Sequence, residues 1–226
     1  ELLAHLATFD TPTICNALEL VAPDRHGIGF TTEPFFNPRP HLPPIVGYAR
    51  TAKIRATKPE VEDPAAATEK RLAYYDYVAN GTGPTITIIE DTDDPAGFGA
   101  FWGEVNTNIH KGLGSLGVIT NGSIRDLPDS ADGFALLAGK VGPTHAWVRV
   151  EAHGIPVSVH GMQVEPDDLI HADQHGAVVI PLTVAHQIPE AVEQIVAKER
   201  VLIEASQKTG FNAAILRSLM SDGPGH

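Results

Sequence analysis

An α/β fold with a partly antiparallel sheet is the architecture this sequence predicts, and three observations predict it. Strand-like segments in the first half alternate with helical ones. Between Trp147 and Ile180 strand-like segments follow one another with no helix between them. The length of 226 residues, 42% of them apolar, suits one domain spanning 1–226. A chain of this size buries roughly 70% of the surface its unfolded form exposes, so it needs no staples.

The elements follow in order. Asp-Thr-Pro-Thr from Asp10 predicts a short helix, with Asp10 or Thr11 as cap and Pro12 in its first turn. Glu33 to Pro44 is rich in proline and reads as an ordered surface arm, because Phe35, Phe36 and Leu42 are there to anchor it. Strands are expected at Ile45–Ile54, Thr85–Glu90, Leu116–Thr120, Trp147–Ala152, Ile155–His160 and Ala177–Ile180. A helix from Pro64 to Asn80 has Asp63 as its cap and Asn80-Gly81 as its stop. A shorter one begins near Gly103 and ends at Lys111-Gly112, and another runs from Pro189 to about Lys208, stopped by Gly210.

Composition excludes several classes. With 16 basic and 28 acidic residues the net charge is −12, which argues against nucleic acid, a partner that needs clustered Lys and Arg. No apolar stretch approaches the ~18 residues that cross a bilayer. The single cysteine, Cys15, excludes a disulfide framework and a Cys-based zinc finger. A cytoplasmic protein with neither nucleic-acid nor membrane partner is expected.

Three motifs are read as structural. Gly112-Leu-Gly-Ser-Leu-Gly117 fits GxGxxG, but a dinucleotide fingerprint follows a strand and opens a helix, and this one does the reverse. It reads as a helix stop and tight turn. His171, Asp173 and His175 have ligand chemistry, yet Pro166 to Gly176 reads as a turn-rich connection with both histidines in solvent. Cys15, among Ile14, Ala17 and Leu18, reads as a small buried apolar residue.

The strongest constellation is Phe101 to Asn108 followed by Leu116 to Asp126. If a helix begins at Gly103, the free N–H groups of Val105 and Asn106 suit a carboxylate, and Glu104 lies in the same first turn. Arg125 and Asp126, as neighbours, serve one site only on an irregular segment, and the stretch after Asn121-Gly122 is such a place. Together they offer a guanidinium for an anion and carboxylates for a hard cation. The competing reading is an Arg–Asp surface turn. In the C-terminal helix, Glu199 falls within the apolar stripe of Val192, Ile195, Val196, Leu202 and Ile203, which calls for a partner, a metal-bound water or a subunit interface, unless it sits at the stripe's edge.

These blocks resemble the RraA-like family, which includes 4-hydroxy-4-methyl-2-oxoglutarate / 4-carboxy-4-hydroxy-2-oxoadipate aldolases and ribonuclease regulators. The resemblance covers most of the chain: TPTICNALE, VGYARTAKIRA, WGEVNT, GVITNGSIRD and VEPDDLIHADQHGAVVIP. It implies a swivelling β/β/α-type domain assembled as a homotrimer or hexamer with sites between subunits. It also implies Mg²⁺ or Mn²⁺ at Asp126, a pyruvyl group held by Arg125, support from Glu104, and a substrate carboxylate on the N–H groups of Val105 and Asn106. Glu199 is the match for a glutamate contributed by a neighbouring subunit. The implied activity is that of a class II-type pyruvate aldolase, a lyase on a small 2-oxo acid with oxaloacetate decarboxylation as a side reaction. The alternative is a non-catalytic regulatory module. Asn121 replaces a common Asp, Asn106 an apolar residue, and Asp167 the glycine of Pro-Gly-Asp. The first two are expected to reshape the substrate pocket.

Overall fold

The computed structural model describes residues 1–59 and 63–221. Two helices open it, α1 (Leu2–Leu6) and α2 (Thr11–Val21), before β1 (Ile45–Arg55), α3 (Pro64–Ala79) and β2 (Thr85–Asp91). Next come β3 (Ala100–Trp102), α4 (Glu104–Gly112), β4 (Ser115–Thr120), β5 (Ser123–Ile124), β6 (Ala135–Leu137) and β7 (Lys140–Val141). Then follow β8 (Arg149–His153), β9 (Val157–Val159), β10 (Met162–Val164), β11 (Leu169–Asp173), β12 (Gly176–Ile180), α5 (Ile188–Ser206) and α6 (Ala213–Ser221).

The axis of the main sheet is β1, long enough to serve three partners. It runs parallel to β2 on one edge, while its other edge pairs antiparallel with β11 near Ile45 and with β8 near Ile54. The seven-stranded sheet has the order β12-β11-β1-β2-β4-β6, with β8 joined to β1. Strands β1, β2, β4 and β6 are parallel, as the crossovers through α3 and α4 require. The expected mixture of parallel and antiparallel pairing is present, and the fold is α/β with a mixed sheet.

Both faces of the sheet are covered, and neighbouring residues supply opposite faces. Ile88, Ile119 and Leu137 pack with Val157, Val159 and Met162 of the β9–β10 hairpin. Ile89, Val118 and Leu136 pack with Tyr74 and Val78 of α3 and with Trp102 and Phe134. A third cluster joins α1, α2 and α5 to Val46, Leu169, Val178 and Ile180. Among the described residues no helix is long and apolar enough to cross a membrane.

Most expected elements form, with caps where the sequence placed them: Asp10 Oδ1 accepts from Thr13 N at 2.8 Å, and Asp63 Oδ2 accepts from Ala65 N at 3.0 Å. The glycine motif ends α4 and turns at Gly114, φ 92°, into β4. The arm is held by the Phe36–Ala138 bridge, by Phe35 against the core, and by Arg39, whose guanidinium donates to Ser130 O (2.6 Å) and Ala131 O. Asp167 adopts φ 67°, a left-handed conformation that suits glycine, and pairs with the Arg50 guanidinium.

Two expectations need correction. The segment read as a turn-rich connection contains β11, and His171 is fully buried there instead of solvated. Its Nε2 donates to Phe9 O (3.0 Å) and its Nδ1 accepts from the Thr11 hydroxyl (3.0 Å), while Asp173 Oδ2 accepts from Thr11 N (2.9 Å). Both polar side chains are buried because they finish the start of α2. The expected strand from Trp147 begins instead at Arg149, and Trp147 is 53% exposed.

Beneath α4 lies a buried polar pair. His110 is fully buried, with Nδ1 2.7 Å from Asn106 O and Nε2 2.7 Å from the Tyr74 hydroxyl. A carbonyl only accepts, so Nδ1 carries the proton and Nε2 accepts from tyrosine. Burial lowers the His110 pKa to about 4. The unfolded chain, with a histidine near 6.5, binds a proton that the fold refuses, so stability is lost as pH falls from about 6.5 to about 4, by about 3 kcal/mol in all. Urea unfolding at pH 7 and pH 4 should show that loss in the parent and a smaller one in His110→Gln. Equal losses would show that folding does not lower the His110 pKa.

Candidate functional site

The small sheet β3-β5-β7 is parallel, with Ala100 opposite Ser123 and Trp102 opposite Ile124. Arg125 N donates to Trp102 O at 2.8 Å and extends the ladder past the end of β5. The chain leaving β3 therefore emerges beside the chain leaving β5. Gly103 and Glu104 meet Arg125 and Asp126 at the carboxyl ends of parallel strands, where α/β folds place their ligands.

Asp126 is one of few non-glycine residues with positive φ, at 51°. An aspartate tolerates this region better than most residues. The conformation is fixed by the Asp126 carbonyl, which accepts from Asp129 N (3.1 Å), Ser130 N (3.0 Å) and Ser130 Oγ (2.9 Å). It breaks the alternation of an extended strand, so that Arg125 Nε lies 3.6 Å from Asp126 Oδ2, with both side chains 37% exposed. The irregular segment after Asn121-Gly122 brings the pair together.

Asp126 Oδ2 also accepts from Glu104 N at 3.3 Å, which makes it the cap of α4 from outside the helix. The residue at the cap position itself is Gly103. A Cβ there would overlap Asp126 Oδ2 and sit 3.2 Å from Arg125 Cγ, so the close approach, not the backbone angle, requires glycine. The first helical bond runs from Thr107 N to Gly103 O, 3.0 Å. The N–H groups of Val105 and Asn106 have no acceptor among the described residues and carry the positive end of the helix dipole. Val105 is 68% exposed and the Glu104 side chain is exposed too.

Five of the six sequence-predicted residues, Glu104, Val105, Asn106, Arg125 and Asp126, thus share one surface. Glu199 does not join them within this chain. It is exposed on α5, a helix that buries only Ile188, Ala191 and Val192. The stripe beyond them is open, with Val196 39% and Ile203 53% exposed. A packed carboxylate was one reading of Glu199; the chain itself leaves that face uncovered.

Neither asparagine departure opens its side chain to the pocket. Asn121 Oδ1 accepts from Asp91 N (2.7 Å) and its Nδ2 donates to Asp91 O (3.0 Å), tying the ends of β4 and β2. Asn106 Nδ2 donates to Phe101 O (2.5 Å) and its Oδ1 accepts from the Tyr75 hydroxyl (3.0 Å). Sequence reasoning missed Tyr74, Tyr75 and His110, which support the helix. His110 lies four after Asn106, on one helix face, and that spacing is the signal that was available. Among the described residues no three His, Cys, Asp or Glu side chains form a metal cluster. Cys15 is partly buried, and that burial raises its thiol pKa to about 11, with nearby Glu19 adding to the effect.

Solved structures share the fold. A protein from Pseudomonas syringae pv. tomato str. DC3000, described as uncharacterized, superposes with a TM-score of 0.70 at 20% identity over 96% of this chain and 92% of its own. RraAS2 of Streptomyces coelicolor, described as an unusual member of the RNase ES inhibitor RraA family, gives 0.60 at 22% identity over 92% and 96%. A structure described among novel cellulases from microbes associated with the gut ecosystem gives 0.72 at 18% identity over 88% and 85%. At these identities the likeness is one of fold. No curated protein matches the chain. Residues 11–179, most of the chain, match the RraA-like family, described as Aldolase/RraA, and the chain belongs to that family.

Proposed function

We propose that this protein is a divalent-metal-dependent lyase that cleaves a 4-hydroxy-2-oxo acid to pyruvate and an oxo compound. The observation that carries this reading is the left-handed turn that sets the Arg125 guanidinium and the Asp126 carboxylate beside two free helix N–H groups. A guanidinium, a carboxylate and an amide cradle match the groups that a 2-oxo acid and its cation require.

The residues fit Mg²⁺ or Mn²⁺. Asp126 uses Oδ2 on Glu104 N and has no protein partner for Oδ1 among the described residues. A single carboxylate suits a hard cation that keeps several waters and takes other ligands from substrate, whereas zinc would want three protein ligands. Bound there, the cation supplies Lewis acidity toward the 2-oxo and carboxylate oxygens.

The chain does the rest. The N–H groups of Val105 and Asn106 hold the substrate carboxylate. Arg125 stabilises the negative charge that develops on the 2-oxo oxygen as the C3–C4 bond breaks. Glu104, and Glu199 of an adjoining copy, are the carboxylates that draw the proton from the C4 hydroxyl and return a proton to C3, which completes pyruvate. The open stripe on α5 is the reason for placing Glu199 in an interface of a homotrimer or hexamer. Oxaloacetate decarboxylation needs no such proton removal and follows as a side reaction. A ribonuclease-regulating module, the other activity in this family, would need none of this chemistry.

Pyruvate release over a panel of 4-hydroxy-2-oxo acids, with and without EDTA, tests the reading. Release should stop with chelator and in Asp126→Asn, which keeps the left-handed turn. Arg125→Lys should lose about 10²–10³-fold, because a point charge does not replace a fork of donors. Chelator-insensitive release, or none from the parent on any substrate, would overturn it.

Two further outcomes concern the surroundings. Gly103→Ala should push the Asp126 carboxylate, the end of a side chain, off Glu104 N and leave the fold stable. Mn²⁺ affinity measured by electron paramagnetic resonance should fall while the unfolding temperature holds. Unchanged Mn²⁺ binding would show that Asp126 is not the ligand. Glu199→Gln should depress aldol cleavage by about 10²–10⁴-fold and decarboxylation little. Equal losses in both assays would assign Glu199 to assembly.

A further inference from the structure

Asp126 demands glycine at position 103, and that demand has a cost. Glycine is the most freely rotating residue, and here it stands between β3 and the helix whose N–H groups face the ligand. Something else must fix the direction in which α4 leaves the strand.

Asn106 does so from the first turn of that helix. Phe101 O only accepts, so the Asn106 Nδ2 that lies 2.5 Å from it must donate, and Oδ1 is then the atom that accepts from the Tyr75 hydroxyl at 3.0 Å. Trp102 O is taken by Arg125 N, on the side of β3 that faces β5. Phe101 lies one residue earlier, where the pairing of β3 with β5 is irregular. The amide of Asn106 takes its carbonyl and bridges strand and helix across Gly103.

The main chain of the same residue is held from α3 as well. Asn106 O accepts from His110 Nδ1, and His110 Nε2 accepts from Tyr74. Consecutive tyrosines of α3 therefore reach Asn106, Tyr75 directly at its side chain and Tyr74 by way of His110 at its carbonyl. Burial raises both tyrosine pKa values, so neither ionises against an anion at the helix start, and it keeps the histidine neutral, so the network carries no charge.

We propose that Asn106, through its bonds to Phe101 O and Tyr75, is a positioning residue that sets the N–H groups of Val105 and Asn106 for the substrate carboxylate. This rests on the lyase reading above, and it assigns a role to a side chain that the reading itself leaves unused. Asp126 takes its left-handed turn from Asp129 and Ser130, which Asn106 does not touch, so the metal ligand keeps its conformation.

The test uses oxalate, a planar two-carboxylate stand-in for the 2-oxo acid, titrated by calorimetry in the presence of saturating Mn²⁺. Asn106→Leu keeps the branched shape and removes both bonds; Tyr75→Phe removes one and preserves packing. Oxalate affinity should fall about tenfold or more in Asn106→Leu and less in Tyr75→Phe, by the loss of one or two orienting hydrogen bonds. Mn²⁺ affinity without oxalate should match the parent in both, and in pyruvate release KM should rise with kcat kept. Tyr75→Phe carries the test alone if the leucine variant does not fold. Oxalate affinity unchanged while the unfolding temperature drops would make Asn106 a scaffold residue and overturn the proposal, as would a parallel loss of Mn²⁺ affinity. Mn²⁺ binding without oxalate binding in the parent would overturn the lyase reading beneath it.

Discussion

One hydrogen bond, from Arg125 N to Trp102 O, sets the geometry on which the candidate site depends. It closes the pairing of β3 with β5, strands of only three and two residues, too short to be stable alone. Their stability comes from what surrounds them: Trp102, Ile124 and Phe134 are each at most 1% exposed and pack with the helix α3 face of the main sheet. With the pairing in place, Gly103 lies against Asp126 and Arg125, and Asp126 caps α4. Loss of the pairing would separate the two halves of the site without removing any of its side chains.

Charge follows the same local logic. At −12 the whole protein repels anions, a repulsion that salt screens beyond a Debye length of about 8 Å at physiological ionic strength. Attraction for a carboxylate must come from groups within contact range, and the site supplies two: the Arg125 fork and the N–H end of α4. The groups packed beneath the helix add no charge, since His110 is held neutral by burial. The arrangement favours capture at short range over steering from a distance.

Much of this was legible in the sequence where elements are long or chemically punctuated. β1, β2, β4 and α3 declare themselves by periodicity and caps, and the Arg125–Asp126 pair by following Asn-Gly, where a strand must turn. β3, β5 and β7 were not legible, because two or three residues carry no period. β11 was misread because His171 and Asp173 look like turn residues; they are buried to satisfy α2, a contact some 160 positions away in sequence. Tyr74, Tyr75 and His110 escaped notice for the same reason, their meeting being a property of how α3 packs on α4. Glu199 was found through its stripe, but the stripe states only that a covering is wanted, and the chain supplies none.

The central claim is that Asp126, Arg125 and the start of α4 form one seat for a cation and a 2-oxo acid. Crystals grown with Mn²⁺ and oxalate, measured at the manganese absorption edge, test it most directly. The account predicts an anomalous peak within coordination distance of an Asp126 carboxylate oxygen, with oxalate between it and the N–H groups of Val105 and Asn106. A manganese peak elsewhere, with Asp126 bonded only to Arg125 and Glu104, would contradict it.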